Sequence, residues 1–233
     1  MPPRLERSRF APSLRGALLG AIGLIFGAVA AVAAANGPAS AAEPGKIRLV
    51  ALGDSLTAGY GLPKGQGFAP RLEAALTAAG LHVEVIDAGV SGDTTDGGLA
   101  RLDWSAPADA QAVIVELGAN DALRGLPPAE TRKNLDAIVA RLTERGQTVL
   151  VAGMLAPRNL GETYAKAFDP IFAEVAKAHG ALFYPFFLDG VALEAKLVQS
   201  DGLHPTAEGV EVIVARILPS VRELLARVGS ARP

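Results

Sequence analysis

The chain has no cysteine, and among its 233 residues there are only one tryptophan, two methionines and three histidines. Without thiols there can be no disulfide, no thiolate metal site, no cysteine nucleophile and no lipid attachment at a lipobox cysteine. His82, His179 and His204 are too scattered for a histidine metal site, and no H-x-x-x-H spacing occurs, so neither a metal nor any other cofactor is expected. Aromatics make up 5% and charged residues 20%, with no internal repeat or low-complexity tract. That composition fits neither a disordered nor a collagen-like chain. Positive charge is also short. The net charge is −2, but residues 1–42 hold four arginines against one glutamate, which leaves the rest at −5. An acidic body with a pI near 6.0 argues against nucleic acid as a partner.

The hydrophobic half of the composition, with a mean hydropathy of +0.29, is unevenly spread. A basic stretch from Arg4 to Arg15 precedes a charge-free apolar run, Ala17–Ala35, and then the small residues Ala39-Ser40-Ala41-Ala42. This order predicts a secretory signal peptide over residues 1–42, cleaved before Glu43. The rival reading is an uncleaved membrane anchor, because the run approaches the roughly 20 residues that span a bilayer. Its Ala and Gly content and the adjoining cleavage site favour cleavage. Either way residues 43–233 are expected to be exported, as one domain of about 190 residues with its own core.

From Lys46 onward, short branched runs alternate with longer helical patterns. Ile47–Leu52, Val83–Ile86, Val113–Leu117, Val149–Val151 and Leu182–Tyr184 read as strands. Leu135, Ile138, Val139 and Leu142 recur at helical spacing. Val210, Ile213, Val214, Ile217, Leu218, Val221, Leu224, Leu225 and Val228 form one face of a helix about five turns long. This alternation predicts an α/β fold with a parallel sheet between helical layers, and its functional loops along the strands' carboxyl edge.

Four segments carry chemistry. Gly53-Asp54-Ser55-Leu56 follows the first strand and offers Ser55 as a nucleophile on a strand-to-helix turn; read alone, it is equally a capped turn. It is not a G-x-S-x-G elbow, since position 57 is threonine. After the second strand, Gly89-Val90-Ser91-Gly92 could bring a backbone N–H close to a ligand. After the third, Gly118-Ala119-Asn120-Asp121 offers a side-chain amide to a developing oxyanion. Asp201-Gly202-Leu203-His204-Pro205 precedes the last helix. His82 begins a strand and His179 sits at a helix end. His204 alone lies on a turn with a carboxylate three residues earlier, so Asp201 can fix its tautomer and leave one ring nitrogen for a serine. Each segment alone has a plain reading as a turn. A nucleophile, two kinds of donor and a base, in order along one sheet edge, point to a hydrolase.

These blocks resemble those of the SGNH (GDSL) hydrolases. Leu52–Tyr60, Ser91–Thr94 with Gly98–Leu102, and Val115–Arg124 are further similar to the bacterial thioesterase I / lysophospholipase / arylesterase branch. The resemblance spans residues 46–225. It implies a three-layer α/β/α, flavodoxin-like fold with a small five-stranded sheet. It also implies Ser55, Asp201 and His204 as catalytic residues, with an oxyanion hole from the N–H groups of Ser55 and Gly92 and the side chain of Asn120. Ala119 departs from the branch's second glycine. The implied substrates are small acyl esters, aryl esters, lysophospholipids and acyl thioesters, with no obligate protein partner; export favours ester or lysophospholipid work over thioester metabolism. Leu123, Leu126, Leu155, Pro157 and Tyr164 are candidate acyl-pocket residues, and the four glycines of Gly59–Gly67 predict a mobile loop over the nucleophile. A carbohydrate acetylesterase should show sugar-stacking aromatics at the mouth, where Trp104 is the single tryptophan. A catalytically silent envelope binding protein would be favoured by loss of a triad residue, and none is lost.

Overall fold

The computed structural model describes residues 45–230; the expected signal peptide, residues 1–42, lies outside them. The described chain runs β1 (Ile47–Gly53), α1 (Ser55–Ala58), α2 (Phe68–Ala78), β2 (Val83–Gly89), α3 (Thr95–Ala100), α4 (Leu102–Ser105), β3 (Ala112–Glu116) and α5 (Ala119–Leu123). It continues through α6 (Pro128–Glu144), β4 (Thr148–Ala152), α7 (Glu162–Phe168), α8 (Ile171–Ala178), β5 (Leu182–Tyr184) and α9 (Ala207–Ser230). The five strands form one parallel sheet in the order β2-β1-β3-β4-β5. Helices cover both faces, as the sequence pattern predicts and as an all-parallel sheet requires.

Burial follows strand position. Residues 49–52 of β1, all of β3 and residues 149–152 of β4 are buried, which is why they read as unbroken apolar runs. The edge strands β2 and β5 are only partly covered, and β2 runs three residues past its apolar stretch, through Asp87 to Gly89. In α9, Val210, Ile213, Val214, Ile217, Val221, Leu224, Leu225 and Val228 are all buried on the sheet, while Leu218 is half-buried. The helix extends to 24 residues and passes through Pro219, which lacks an N–H for the intrahelical ladder and sits on the exposed side.

The strand order reverses direction between β1 and β3. At such a switch point the two loops leave on opposite faces and open a crevice at the carboxyl edge. Ser55 follows β1 and Asn120 follows β3, so the fold sets both at that crevice. Among the described residues, no helix is long and apolar enough to cross a membrane.

Candidate active site

The turn after β1 is built by close packing. A Cβ on Gly53 would lie 2.1 Å from Thr57 Oγ1 and 2.6 Å from Glu116 Oε2, so only glycine fits there. Asp54 caps α1, its Oδ1 accepting the N–H of Leu56 at 3.0 Å. Ser55 is then the first helical residue, and its own N–H has no intrahelical acceptor. Arg101, buried, braces the turn from below. Its guanidinium donates to the carbonyls of Gly53 and Ala88, each at 2.8 Å, to Ser105 Oγ at 2.9 Å, and to Asp93 on the loop after β2. One side chain therefore ties the root of the Ser55 turn to the root of the Gly92 loop.

Ser55 Oγ lies 2.9 Å from His204 Nε2, and His204 Nδ1 lies 2.6 Å from Asp201 Oδ2. Asp201 Oδ1 accepts the N–H groups of Leu203 at 2.9 Å and His204 at 3.0 Å. Those backbone donors, the Leu203 N–H foremost, with the imidazole, lower the Asp201 carboxyl to about 2. An ionised Asp201 can hold a proton on Nδ1, an arrangement that would leave Nε2 as an acceptor facing the Ser55 hydroxyl. Gln199, which carried no signal in the sequence, locks this turn. Its N–H donates to the His204 carbonyl at 2.7 Å, and its side-chain amide donates to the carbonyls of Tyr60 at 2.7 Å and Pro205 at 2.9 Å. The glycine-rich segment is thus fastened at Tyr60, whose ring lies 4.6 Å from that of His204.

Gly92 and Asn120 reach the same place. Gly92 adopts φ +85, its carbonyl accepts from Arg124, and it lines the cavity beside Ser55. Asn120 Nδ2 donates to Asp54 Oδ2 at 3.0 Å while its residue lines the cavity. The next residue, Asp121, is buried and anchors this turn by accepting from the backbone and hydroxyl of Thr95 and from Thr131. Ala119 is tolerated because the left-handed position is Gly118, at φ +113, whereas Ala119 already begins α5.

Beneath the serine turn sit two fully buried carboxyls. Burial, with the charge of Asp54, pushes Glu116 well above the usual carboxylate range, against the pull of hydrogen bonds from Thr57 Oγ1 at 2.7 Å and the Asp54 N–H at 3.4 Å. Burial likewise raises Asp54 to about 6, opposed by the bonds from Leu56 and Asn120. Glu116 appears in the sequence only as the last residue of a strand.

The cavity over Ser55 has a volume of about 470 Å³. Its apolar walls include Leu123, Met154, Leu155, Pro157, Phe186, Leu188 and Leu203, and four of these (Leu155, Pro157, Phe186, Leu188) also line an adjoining cavity of about 910 Å³. Leu123, Leu155 and Pro157 are thus where the sequence analysis expects them. Leu126 and Tyr164 do not line the cavity over Ser55. Tyr164 instead donates its hydroxyl to the Leu126 carbonyl at 2.8 Å and stacks on Phe168, a packing role. Met154, Phe186 and Leu188 were missed, although the loops after β4 and β5 had to end at this edge. Trp104 is 73% exposed on α4 and lines neither cavity. His179 pairs with Asp136 at 2.7 Å, away from the site. Among the described residues no cluster of His, Asp and Glu could hold a metal ion.

The profile of the GDSL-like lipase/acylhydrolase family matches residues 51–212, a stretch that includes every residue of this constellation. The chain belongs to that family. It is 36% identical over 178 residues to esterase TesA of Pseudomonas aeruginosa, covering 76% of this chain and 89% of that one. It is 38% identical over 173 residues to an arylesterase of Vibrio mimicus, covering 72% and 85%. Among solved structures it resembles AlinE4, an SGNH-hydrolase family esterase, at 46% identity and a TM-score of 0.66, covering 80% of this chain and 99% of that one. This GDSL-family protein is a carboxylic ester hydrolase, and its α/β/α sandwich is the SGNH-hydrolase fold.

Proposed function

We propose that the protein is an exported serine esterase that works through an acyl-enzyme on Ser55. The observation that carries this reading is the continuous relay from Asp201 through His204 to Ser55 Oγ at the floor of an apolar cavity. Ser55 Oγ attacks the ester carbonyl carbon as its proton passes to His204 Nε2. The carbonyl oxygen becomes an oxyanion held by the N–H groups of Ser55 and Gly92 and by Asn120 Nδ2. Collapse breaks the bond to the leaving alcohol, which takes the proton from Nε2. Water then attacks the acyl carbon, passes its proton to Nε2, and the acid departs as Oγ recovers that proton. Asp201 stays ionised throughout and steadies the imidazolium.

The apolar walls suit the acyl chains of aryl esters, short-to-medium alkyl esters and lysophospholipids, and acyl thioesters present the same carbonyl. Residues 1–42 would direct export and be removed before Glu43; N-terminal sequencing of the exported protein checks this, and a start at Met1 would favour the anchor. The decisive assay is hydrolysis of p-nitrophenyl esters of increasing chain length by the wild type and by Ser55→Ala. The variant should lose at least about 10⁴-fold in kcat. Equal activity in the two proteins would refute the acyl-enzyme.

A further inference from the structure

Asp54 is fully buried beside the nucleophile, yet no step of the acyl transfer uses its carboxyl. Its two oxygens are committed in different directions. Oδ1 accepts the Leu56 N–H of the serine turn, and Oδ2 accepts from Asn120 Nδ2 across the switch point between β1 and β3. Beneath it, Glu116 takes the Asp54 N–H and the Thr57 hydroxyl on one oxygen, while its other oxygen has no partner. Two carboxyls this close do not both ionise readily. The pair therefore carries one negative charge near neutrality, on Asp54, both of whose oxygens accept a hydrogen bond, whereas Glu116 Oε1 has none.

An asparagine amide can sit in two ways, related by a flip that exchanges Oδ1 and Nδ2. An ionised carboxylate accepts hydrogen bonds and cannot donate them, so it tolerates Nδ2 and repels Oδ1. With Nδ2 held against Asp54, the second N–H of the same nitrogen remains for the cavity. In the flipped amide a carbonyl oxygen would occupy that position and meet the oxyanion with its lone pairs.

We propose that Asp54 is the positioning residue of the oxyanion hole, its carboxylate fixing the amide of Asn120 in the one orientation that presents an N–H to the transition state. The inference rests on the acyl-transfer reading of Ser55 and Asn120. Besides Asn120 and Glu116, the charged or titratable groups acting on Asp54 are His204 and, from the loop after β2, Asp93.

The test is Asp54→Asn in the full-length protein, with p-nitrophenyl butyrate as substrate and a butyl trifluoromethyl ketone as the oxyanion-forming inhibitor. The new side chain keeps an oxygen for the Leu56 N–H but turns an NH₂ toward Asn120, which must flip to accept from it. The expected result is a loss of about 100-fold in kcat, with KM within about twofold and inhibitor affinity falling in parallel. A merely structural role predicts little change in kcat or inhibitor affinity, since this substitution preserves the helix cap. Adding Asp54→Asn to Asn120→Ala should cost no more than about threefold, because the group being positioned is already gone. A single variant retaining more than a third of wild-type kcat, or losses that multiply in the double variant, would overturn the proposal. If Asp54→Asn does not fold, the side-chain amide protons of Asn120 provide the readout by NMR, assigned by their absence in Asn120→Ala and followed in a His204→Gln background. One should shift as Asp54 titrates above the ordinary carboxylate range, and above its value with His204 present, since that imidazole lowers it; no shift between pH 4 and 9 would refute the idea. Activity retained by Ser55→Ala would overturn the proposal together with the acyl-enzyme, whereas failure of the Asp54 tests alone leaves the acyl-enzyme standing.

Discussion

Two different constructions meet at Ser55 Oγ. On the Ser55 side, Asp54, Thr57, Arg101 and Glu116 are all at most 7% exposed and bonded across strand ends that lie far apart in sequence. On the His204 side, the Asp201 side chain is 37% exposed and that of His204 18%, and the main bonds close within a turn of four residues. Ser55 is held by bonds that cross the buried sheet ends. His204 is held by a short turn that satisfies its own carboxylate and by Gln199, which fastens that turn. A change of similar size should therefore have unequal consequences on the two sides.

The largest contrast lies between two glycines. Gly53→Ala forces a Cβ into Thr57 and Glu116 and should destabilise the protein by about 1–3 kcal/mol while depressing kcat, as overpacking does. Gly202→Ala also adds one methyl, but nothing lies within 4 Å of it, so only the φ of +70 opposes it, at roughly 1 kcal/mol. Thermal melts of the two variants check the order; equal losses would erase the distinction.

Gln199→Leu sharpens the comparison from the His204 side. It removes two hydrogen bonds that reach the carbonyls of Tyr60 and Pro205 but none from the core. The expected outcome is a roughly tenfold fall in kcat with only a small change in melting temperature. Steady-state kinetics beside calorimetry would expose a reversed pattern.

The smallest effect is in pH dependence, where the two carboxylates flanking the serine have opposite signs. Asp201, held down to about 2, contributes stability above its ordinary value near 4, and that contribution is lost as pH falls through about 2. Asp54, raised to about 6, binds a proton more readily folded than unfolded, so its contribution is present below about pH 4 and lost as pH rises through about 6. Melting curves across that range should show Asp201→Asn losing against wild type mainly at the upper end, and Asp54→Asn gaining there. Parallel curves for the two variants would contradict the assignment.

The same contrast explains what could be read from the sequence. Asp201, His204 and the Ser55 and Asn120 turns were legible because each is a contiguous run with its own chemistry, and the buried strands β1, β3 and β4 because burial on both faces leaves unbroken apolar stretches. Strand order was not legible from the pattern, since no local feature says that β3 pairs with β1 rather than with β2. Everything depending on that order was hidden with it: the guanidinium of Arg101 joining two loops, Glu116 under the serine, and the amide of Asn120 resting on Asp54. Tyr164 misled for a related reason, because an aromatic near the predicted cavity could not be seen to have a carbonyl partner at Leu126.

Part of the cavity wall comes from strand ends other than those that carry Ser55, Gly92 and Asn120. Ser55, Gly92 and Asn120 hang from the ends of β1, β2 and β3, whereas Leu155, Pro157, Phe186 and Leu188 come from the loops after β4 and β5. The segment after β5 is shared, since it also carries Asp201 and His204, but the loop after β4 contributes to the wall alone. The loop after β4, which holds Leu155 and Pro157 but none of Ser55, Gly92, Asn120, Asp201 or His204, could be lengthened, shortened or exchanged to reshape the cavity while the Ser55 turn and its supports stay untouched.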